Sequence, residues 1–178
     1  MLFRSLGTRA IVGLGSFAEM MAELRSLAAE AGPAEVLGAV LDRCRTRLAD
    51  HPIVDALPPD LPQVFVDGPL ILQVFTNLLE NAAKHTPAGT RVTISAALKN
   101  GMVRICIDDN GPGFSVDDPE LLFAKFHRGK DEGTTGGAGL GLTICRAIIN
   151  VHGGTIGAEP LAGGGARFAF TLPMSQPA

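Results

Sequence analysis

Arg91–Leu98 and Met102–Asp108 read as two strands, with Lys99-Asn100-Gly101 as the turn between them. That hairpin constrains the fold more than any other feature, because it sets an antiparallel pair in the middle of the chain. The elements around it agree. Val64-Phe65-Val66-Asp67 reads as a strand, and Gly68-Pro69 opens a long helix to about Lys84, with proline near its first turn. Pro87-Ala88-Gly89 is a turn, and Leu140–Val151 is a second strong helix. Thr155–Glu159 and Ala166–Leu172 close the chain as strands joined by Gly163-Gly164-Gly165. Strands and helices alternate without a regular βαβ order. The expected class is therefore α+β: a two-layer α/β sandwich, a mixed sheet with helices on one face.

The earlier chain is less strongly patterned. Residues 1 to about 15 are Gly-rich and without pattern. Residues 16–30 read as a short helix, Gly32-Pro33 breaks it, and a second helix runs from Ala34 to Ala49. His51–Pro62 is Pro-rich and reads as extended chain around a short strand. The expected organisation is a lead over 1–33, one domain over 34–174 and a tail over 175–178. Hydrophobic residues at 46% and charged residues at 19% give that domain a sizeable core.

Composition also excludes classes. A net charge of −3 gives no electrostatic argument for a nucleic-acid partner. Trp and Tyr are absent, so stacking platforms for single strands would rest on Phe alone. The three cysteines, Cys44, Cys106 and Cys145, have no metal-type spacing. Cys106 and Cys145 lie in apolar runs and read as buried thiols of a reducing compartment. No apolar stretch reaches the ~20 residues that span a bilayer, and the N-terminal residues make a poor signal peptide.

Four segments carry candidate chemistry. On the Leu70–Lys84 helix, Ile71, Val74, Phe75, Leu78, Leu79, Ala82 and Ala83 cover one half. Gln73, Asn77, Glu80, Asn81 and Lys84 form a polar stripe on the other. Amides and a carboxylate there suit Mg²⁺ shared with phosphates, and a merely solvated face suits the same pattern. Asp108-Asp109-Asn110-Gly111-Pro112-Gly113-Phe114 follows a strand directly. A carboxylate at a strand end can read an exocyclic amine, and Gly111 and Gly113 allow close backbone approach. As composition alone the segment is an ordinary turn. Gly136-Gly137-Ala138-Gly139-Leu140-Gly141-Leu142 runs into a helix, which leaves backbone N–H groups to face phosphate oxygens. It is neither the Gly-Lys-Ser/Thr phosphate loop nor a dinucleotide fingerprint, since no lysine follows and no strand directly precedes. Leu122-Phe123-Ala124-Lys125-Phe126-His127-Arg128 has an apolar face from Phe123 and Phe126, with Arg128 and Lys130 within reach of a terminal phosphate, and a short packing helix with solvated basic residues suits the same pattern.

Order and spacing make the four segments specific together. They resemble the catalytic ATP-binding domain of sensor histidine kinases, in the larger group with gyrase B, Hsp90 and MutL (the Bergerat ATP-binding fold). Asn77–His85 is similar to the N box, Asp109–Gly113 to the G1 box, Phe123–Phe126 to the F box and Gly137–Leu142 to the G2 box. The resemblance covers about 34–173. Val66–Leu70 and Ile144–Gly154 are worded like the Kdp-type kinases, which regulate a potassium-uptake operon.

The resemblance implies ATP and Mg²⁺ as cofactors. Asn81 would ligate the metal and Asn77 support it, Lys84 would meet phosphate, and His85 would lie against the nucleotide. Asp109 would read the adenine amine, with Gly111 and Gly113 letting the backbone approach the base. Phe123, Phe126 and Leu140 would line the nucleotide site. Gly137, Gly139 and Gly141 would wrap the phosphates, with Arg128 near the γ-phosphate. Glu80, beside the metal ligand, joins Asn77, Lys84 and Arg128 in the expected catalytic set with its role open. Asp117–Gly137 would be a mobile lid. The family's phospho-accepting His-Glu-x-x-Thr-Pro context is missing around His51, His85, His127 and His152.

The expected partners are therefore a dimerisation and histidine-phosphotransfer domain outside this sequence and a response regulator. The fragment itself is expected to be monomeric and cytoplasmic, from a parent in a bacterial inner membrane. Two rival readings differ in class. An ATP-hydrolysing switch would need a carboxylate base one turn before the metal ligand, where Asn77 stands. A nucleotide-responsive module without transfer is the other.

Overall fold

A computed structural model describes residues 29–31, 46, 48–62, 64–115, 118–124 and 140–174. Strands β1 (Ala29–Ala31), β2 (Ile53–Ala56) and β3 (Val64–Val66) precede helix α1 (Gly68–His85). The hairpin β4 (Val92–Lys99) and β5 (Met102–Asp109) follows, then a 3-10 helix (Pro119–Phe123), helix α2 (Gly141–Val151), and strands β6 (Ile156–Pro160) and β7 (Ala166–Pro173).

The turn between β4 and β5 forms as its residues demand. Asn100 and Gly101 both adopt positive φ, at 52° and 74°, the pair a two-residue primed turn needs to match strand twist. β5 then pairs antiparallel with β7, and β7 with β6. β2 adds to the other side parallel to β4, with Ile53 opposite Val92. The described residues thus form a five-stranded mixed sheet in the order β2-β4-β5-β7-β6.

Alternation along these strands separates two faces. Val92, Ile94, Val103, Ile105, Ile107, Phe168, Phe170 and Leu172 are buried. They form one core with Ile71, Val74, Phe75, Leu78 and Leu79 of α1 and Cys145, Ile148 and Ile149 of α2. Phe75 meets Phe170 edge-on at 5.4 Å between ring centroids. The opposite face carries Arg104, Cys106, Asp108 and Arg167 and is only half-covered. Both helices lie on the buried face, so the two-layer architecture is as expected.

Two differences lie N-terminal to α1. Ala29 and Glu30, read from sequence as the end of a helix, lie in the strand Ala29–Ala31, antiparallel to Val64–Val66. The helical preference of Ala-Glu-Ala is worth only a few tenths of a kcal/mol per residue, and pairing with a strand overrides it. The second expected helix runs to Ala49, whereas Leu48–Asp50 is a turn closed by His51 N–H donating to Leu48 O at 2.9 Å. Thr46, within the same expected helix, also lies in a turn, and the other residues of both expected helices lie outside the described residues. No described helix is long and apolar enough to cross a membrane.

Candidate functional site

α1 is started by Asp67, whose carboxylate accepts from Leu70 N–H at 2.9 Å, with Pro69 in the first turn. Its apolar half faces the sheet, so the Asn77–Glu80–Asn81 stripe is held at the margin of the core, half-buried. Lys84 and His85 occupy its exposed last turn. Asn77 is fixed on both sides. Its Oδ1 accepts from Gln73 Nε2 at 2.7 Å, and its Nδ2 donates to Gly141 O at 3.2 Å. The start of α2, where the glycine-rich segment ends, is thereby tied to the middle of α1. Cys145, one turn further along α2, is buried between the helices, with its thiol 3.8 Å from Val74 O. Burial pushes that thiol up to about 12, so it stays protonated.

The end of β5 decides between two adjacent acids. Asp108 points to the open face, where Arg167 grips it through Nε at 2.8 Å and Nη2 at 2.6 Å. Asp109 takes the opposite parity and is buried, 6% exposed. Its Oδ1 accepts from Gly111 N–H at 2.9 Å and from Ala166 N–H at 3.3 Å. Both bonds use one oxygen, so Oδ2 is the atom left to accept from a ligand. The two N–H donors fix the orientation of the group.

The backbone beyond Asp109 is closely wrapped. A Cβ on Gly111 would lie 2.8 Å from Thr86 Cγ2, and Gly113 has positive φ with Gly165 O 2.6 Å from where its Cβ would be. Thr86, just past α1, donates its hydroxyl to Ala82 O at 2.8 Å and accepts from buried His51 Nε2 at 3.0 Å. His51 Nδ1 has no hydrogen-bond partner among the described residues. From Asn77 to Thr86 the helix rises roughly 13 Å. One edge of α1 therefore meets Gly141 near its middle and the Asp109–Gly113 turn at its end.

Phe123 ends the 3-10 helix, buried against Phe168 at 6.5 Å with Arg146 4.3 Å above its ring. Its carbonyl accepts from the Thr143 hydroxyl at 3.1 Å. Leu140 is half-buried at the mouth of α2. Phe126, Arg128, Gly137 and Gly139 lie outside the described residues, as does most of the expected lid. Sequence reasoning missed the Gly165–Ala166 wall behind Asp109 and the His51–Thr86 pair. No local signal marks the pair, since its members are 35 residues apart. The Gly163–Gly165 run was visible, and its role was not.

The model of the histidine kinase-, DNA gyrase B- and HSP90-like ATPases matches residues 66–176, the span holding both helices and the hairpin. The chain belongs to that ATPase family. It is similar to sensor kinases. It is 44% identical to the sensor protein KdpD of Escherichia coli over 140 residues, covering 79% of this chain and 16% of KdpD. It is 43% identical over 119 residues to the adaptive-response sensory kinase SasA of a Synechocystis strain, covering 66% of this chain and 31% of SasA. The structure of ShkA in complex with AMPPNP superposes with a TM-score of 0.72 at 28% identity, over 85% of this chain and 32% of that one. The chain thus spans under a third of these relatives. The ATPase fold and its ATP-binding character follow from family membership. Among the described residues no group of three or more His, Cys, Asp or Glu could hold a metal.

Proposed function

We propose that this chain is the ATP- and Mg²⁺-binding catalytic part of a two-component sensor histidine kinase. It would serve a phospho-accepting histidine on a dimerisation domain outside this sequence, with a response regulator downstream. The observation that carries the reading is the Asp109 cradle. A buried carboxylate with one oxygen held by two backbone N–H groups offers the other to a donor such as the adenine amine. The donor set fits a nucleotide, and ATP supplies the transferable γ-phosphoryl group.

The chain's own residues orient and neutralise, which is most of what phosphoryl transfer asks of a protein. Asn77 anchors the start of α2, where N–H groups meet phosphate oxygens. The Asn81 amide oxygen would supply one hard ligand to Mg²⁺, which suits a site with no acidic cluster among the described residues. Lys84 and Arg128 would offset phosphate charge, His85 would lie against the nucleotide, and Glu80 would sit beside the metal ligand. The amide at Asn77, where a hydrolysing switch would use a carboxylate, favours transfer over hydrolysis.

Identity to KdpD supports a potassium-responsive parent, and nearly equal identity to SasA keeps the sensory input a separate question. A KdpD chimera carrying this domain would restore potassium-responsive transcription if that finer reading holds, and a silent chimera would remove it. A membrane-bound parent rests on the same kinship.

The primary test is titration with an ATP analogue and Mg²⁺. Asp109→Asn turns an acceptor into a donor facing the adenine amine, at a cost of about 2–3 kcal/mol, or some 30- to 150-fold in affinity. Asn81→Ala should lose the Mg²⁺ dependence. A dimerisation-helix fragment added to the parent should then become phosphorylated on histidine. Unchanged affinity in Asp109→Asn would overturn the site, and steady phosphate release without acceptor would favour the hydrolysing switch.

A further inference from the structure

We propose that His152 is a positioning residue for the nucleotide site, pinning the helix of Asn77 and Asn81 to the helix that begins at Gly141. His152 caps the C-terminus of α2, yet both ring nitrogens are engaged. Nδ1 lies 2.8 Å from Ile148 O, and Nε2 lies 3.0 Å from Asp67 N. A backbone N–H only donates, so Nε2 carries the lone pair and Nδ1 carries the proton. The ring is the neutral Nδ1–H tautomer, and only that form serves both partners.

Asp67 is the N-cap of α1, buried at 7% exposed. Its carboxylate is used on Leu70 N–H and its carbonyl accepts from Ile71 N–H at 3.0 Å. Its own N–H lies past the end of β3 and is satisfied by His152. Without that acceptor a buried donor would be stranded at the helix start, and moving the helix end toward water is the way to relieve it.

The pin has a counterpart. Asn77 Nδ2 bonds Gly141 O, so α1 is held to α2 at 67 and 77 and α2 to α1 at 152 and 141. The helices run antiparallel between bonds ten and eleven residues apart, roughly 15 Å along each axis. The Cys145–Val74 contact lies between the two bonds. Two separated hydrogen bonds fix both the slide and the rotation of one helix on the other. The Asn77 amide therefore keeps its place over the start of α2 only while His152 accepts from Asp67.

This inference rests on the ATP-binding reading, and the test separates the two. Gln at 152 carries an amide oxygen about as far along the side chain as Nε2, whereas Asn reaches only the Nδ1 position. His152→Gln should keep affinity for a Mg²⁺–ATP analogue within about twofold, and His152→Asn should weaken it about tenfold, as loss of one buried hydrogen bond does. Equal weakening in both variants, or none in His152→Asn, would overturn the proposal. NMR of the parent decides it even where a variant folds poorly. The His152 ring must show the Nδ1–H tautomer and the Asp67 amide must exchange slowly; an Nε2–H ring or a fast Asp67 amide overturns the pin. A shifted Asn77 side-chain amide in His152→Asn reports the lost positioning without nucleotide. A parent that binds no nucleotide sinks the ATP reading and leaves these readouts to judge His152.

Discussion

Replacing Gly165 by Ala tests whether the Asp109 cradle depends on a backbone crossing. Gly165 adopts φ +95°, and a Cβ there would lie 1.9 Å from Asp109 O and 2.9 Å from Asp109 C. The obstruction is main chain, so no rotamer change relieves it. The left-handed conformation adds about 1–2 kcal/mol for a residue with a Cβ. Separating the two strands by roughly an ångström adds an overpacking cost of about 1–3 kcal/mol. The expected destabilisation is about 2–5 kcal/mol, a fall of about 5–20 °C in Tm for a chain of this size. The neighbours supply an internal scale. Gly164 has φ +90° with only Gly111 O at 3.8 Å, so Gly164→Ala should show the conformational part alone. Gly163 has nothing within 4 Å of a Cβ, and Gly163→Ala should stay within about 0.5 kcal/mol of the parent. Urea unfolding of the three variants gives the order, and nucleotide titration adds a second reading. Displacing Gly165 displaces Ala166 N–H, one of the two donors that orient Asp109, so affinity should fall with stability in Gly165→Ala alone. A Gly165→Ala protein as stable as Gly163→Ala would refute the close approach.

Three further outcomes follow from the same contacts. Thr86→Val keeps the shape against Gly111 but leaves His51 Nε2 without its hydroxyl partner, so the urea midpoint should drop by the equivalent of about 1–3 kcal/mol. Arg167→Ala releases Asp108 on the open face and should cost about 1 kcal/mol, shrinking as salt is added, with nucleotide affinity unchanged because Asp109 faces the other way. Burial holds the Cys145 thiol at about 12 against an ordinary 9.0, so its contribution to stability is intact below 9.0 and is lost as pH rises toward 12. Between pH 8 and 10.5 the parent should lose about 2 kcal/mol more than Cys145→Ala, and equal slopes in urea unfolding would contradict the burial argument.

What the sequence disclosed was whatever is encoded locally. The Asn100-Gly101 turn, the apolar half of α1 and the polar stripe opposite it need only neighbours within a few residues, and each formed close to the expected bounds. Asp109 could be preferred to Asp108 on box wording, and strand parity supplies the physical reason. Val103, Ile105, Ile107 and Asp109 share the buried face while Asp108 shares the other with Arg104. The Ala29–Ala31 strand was not legible, because its partner lies 35 residues on and its own composition favours a helix. The parallel pairing of β2 with β4 was hidden for the same reason.

The site follows the same division. Its chemistry-bearing groups stand in readable boxes, but the atoms that aim them come from elsewhere. Ala166 reaches Asp109 across 57 residues, Gly141 reaches Asn77 across 64, and His152 reaches Asp67 across 85. Two of these contacts use a backbone group of the distant residue, and in the third a ring nitrogen meets the backbone of Asp67, so side-chain identity alone does not announce them. A box motif therefore states which groups are candidates for chemistry, and the sheet order and helix pairing state where each group points. Asp109 and Asp108 are neighbours of the same type, and only the second kind of information separates a carboxylate held through one oxygen by backbone N–H groups from one gripped by Arg167.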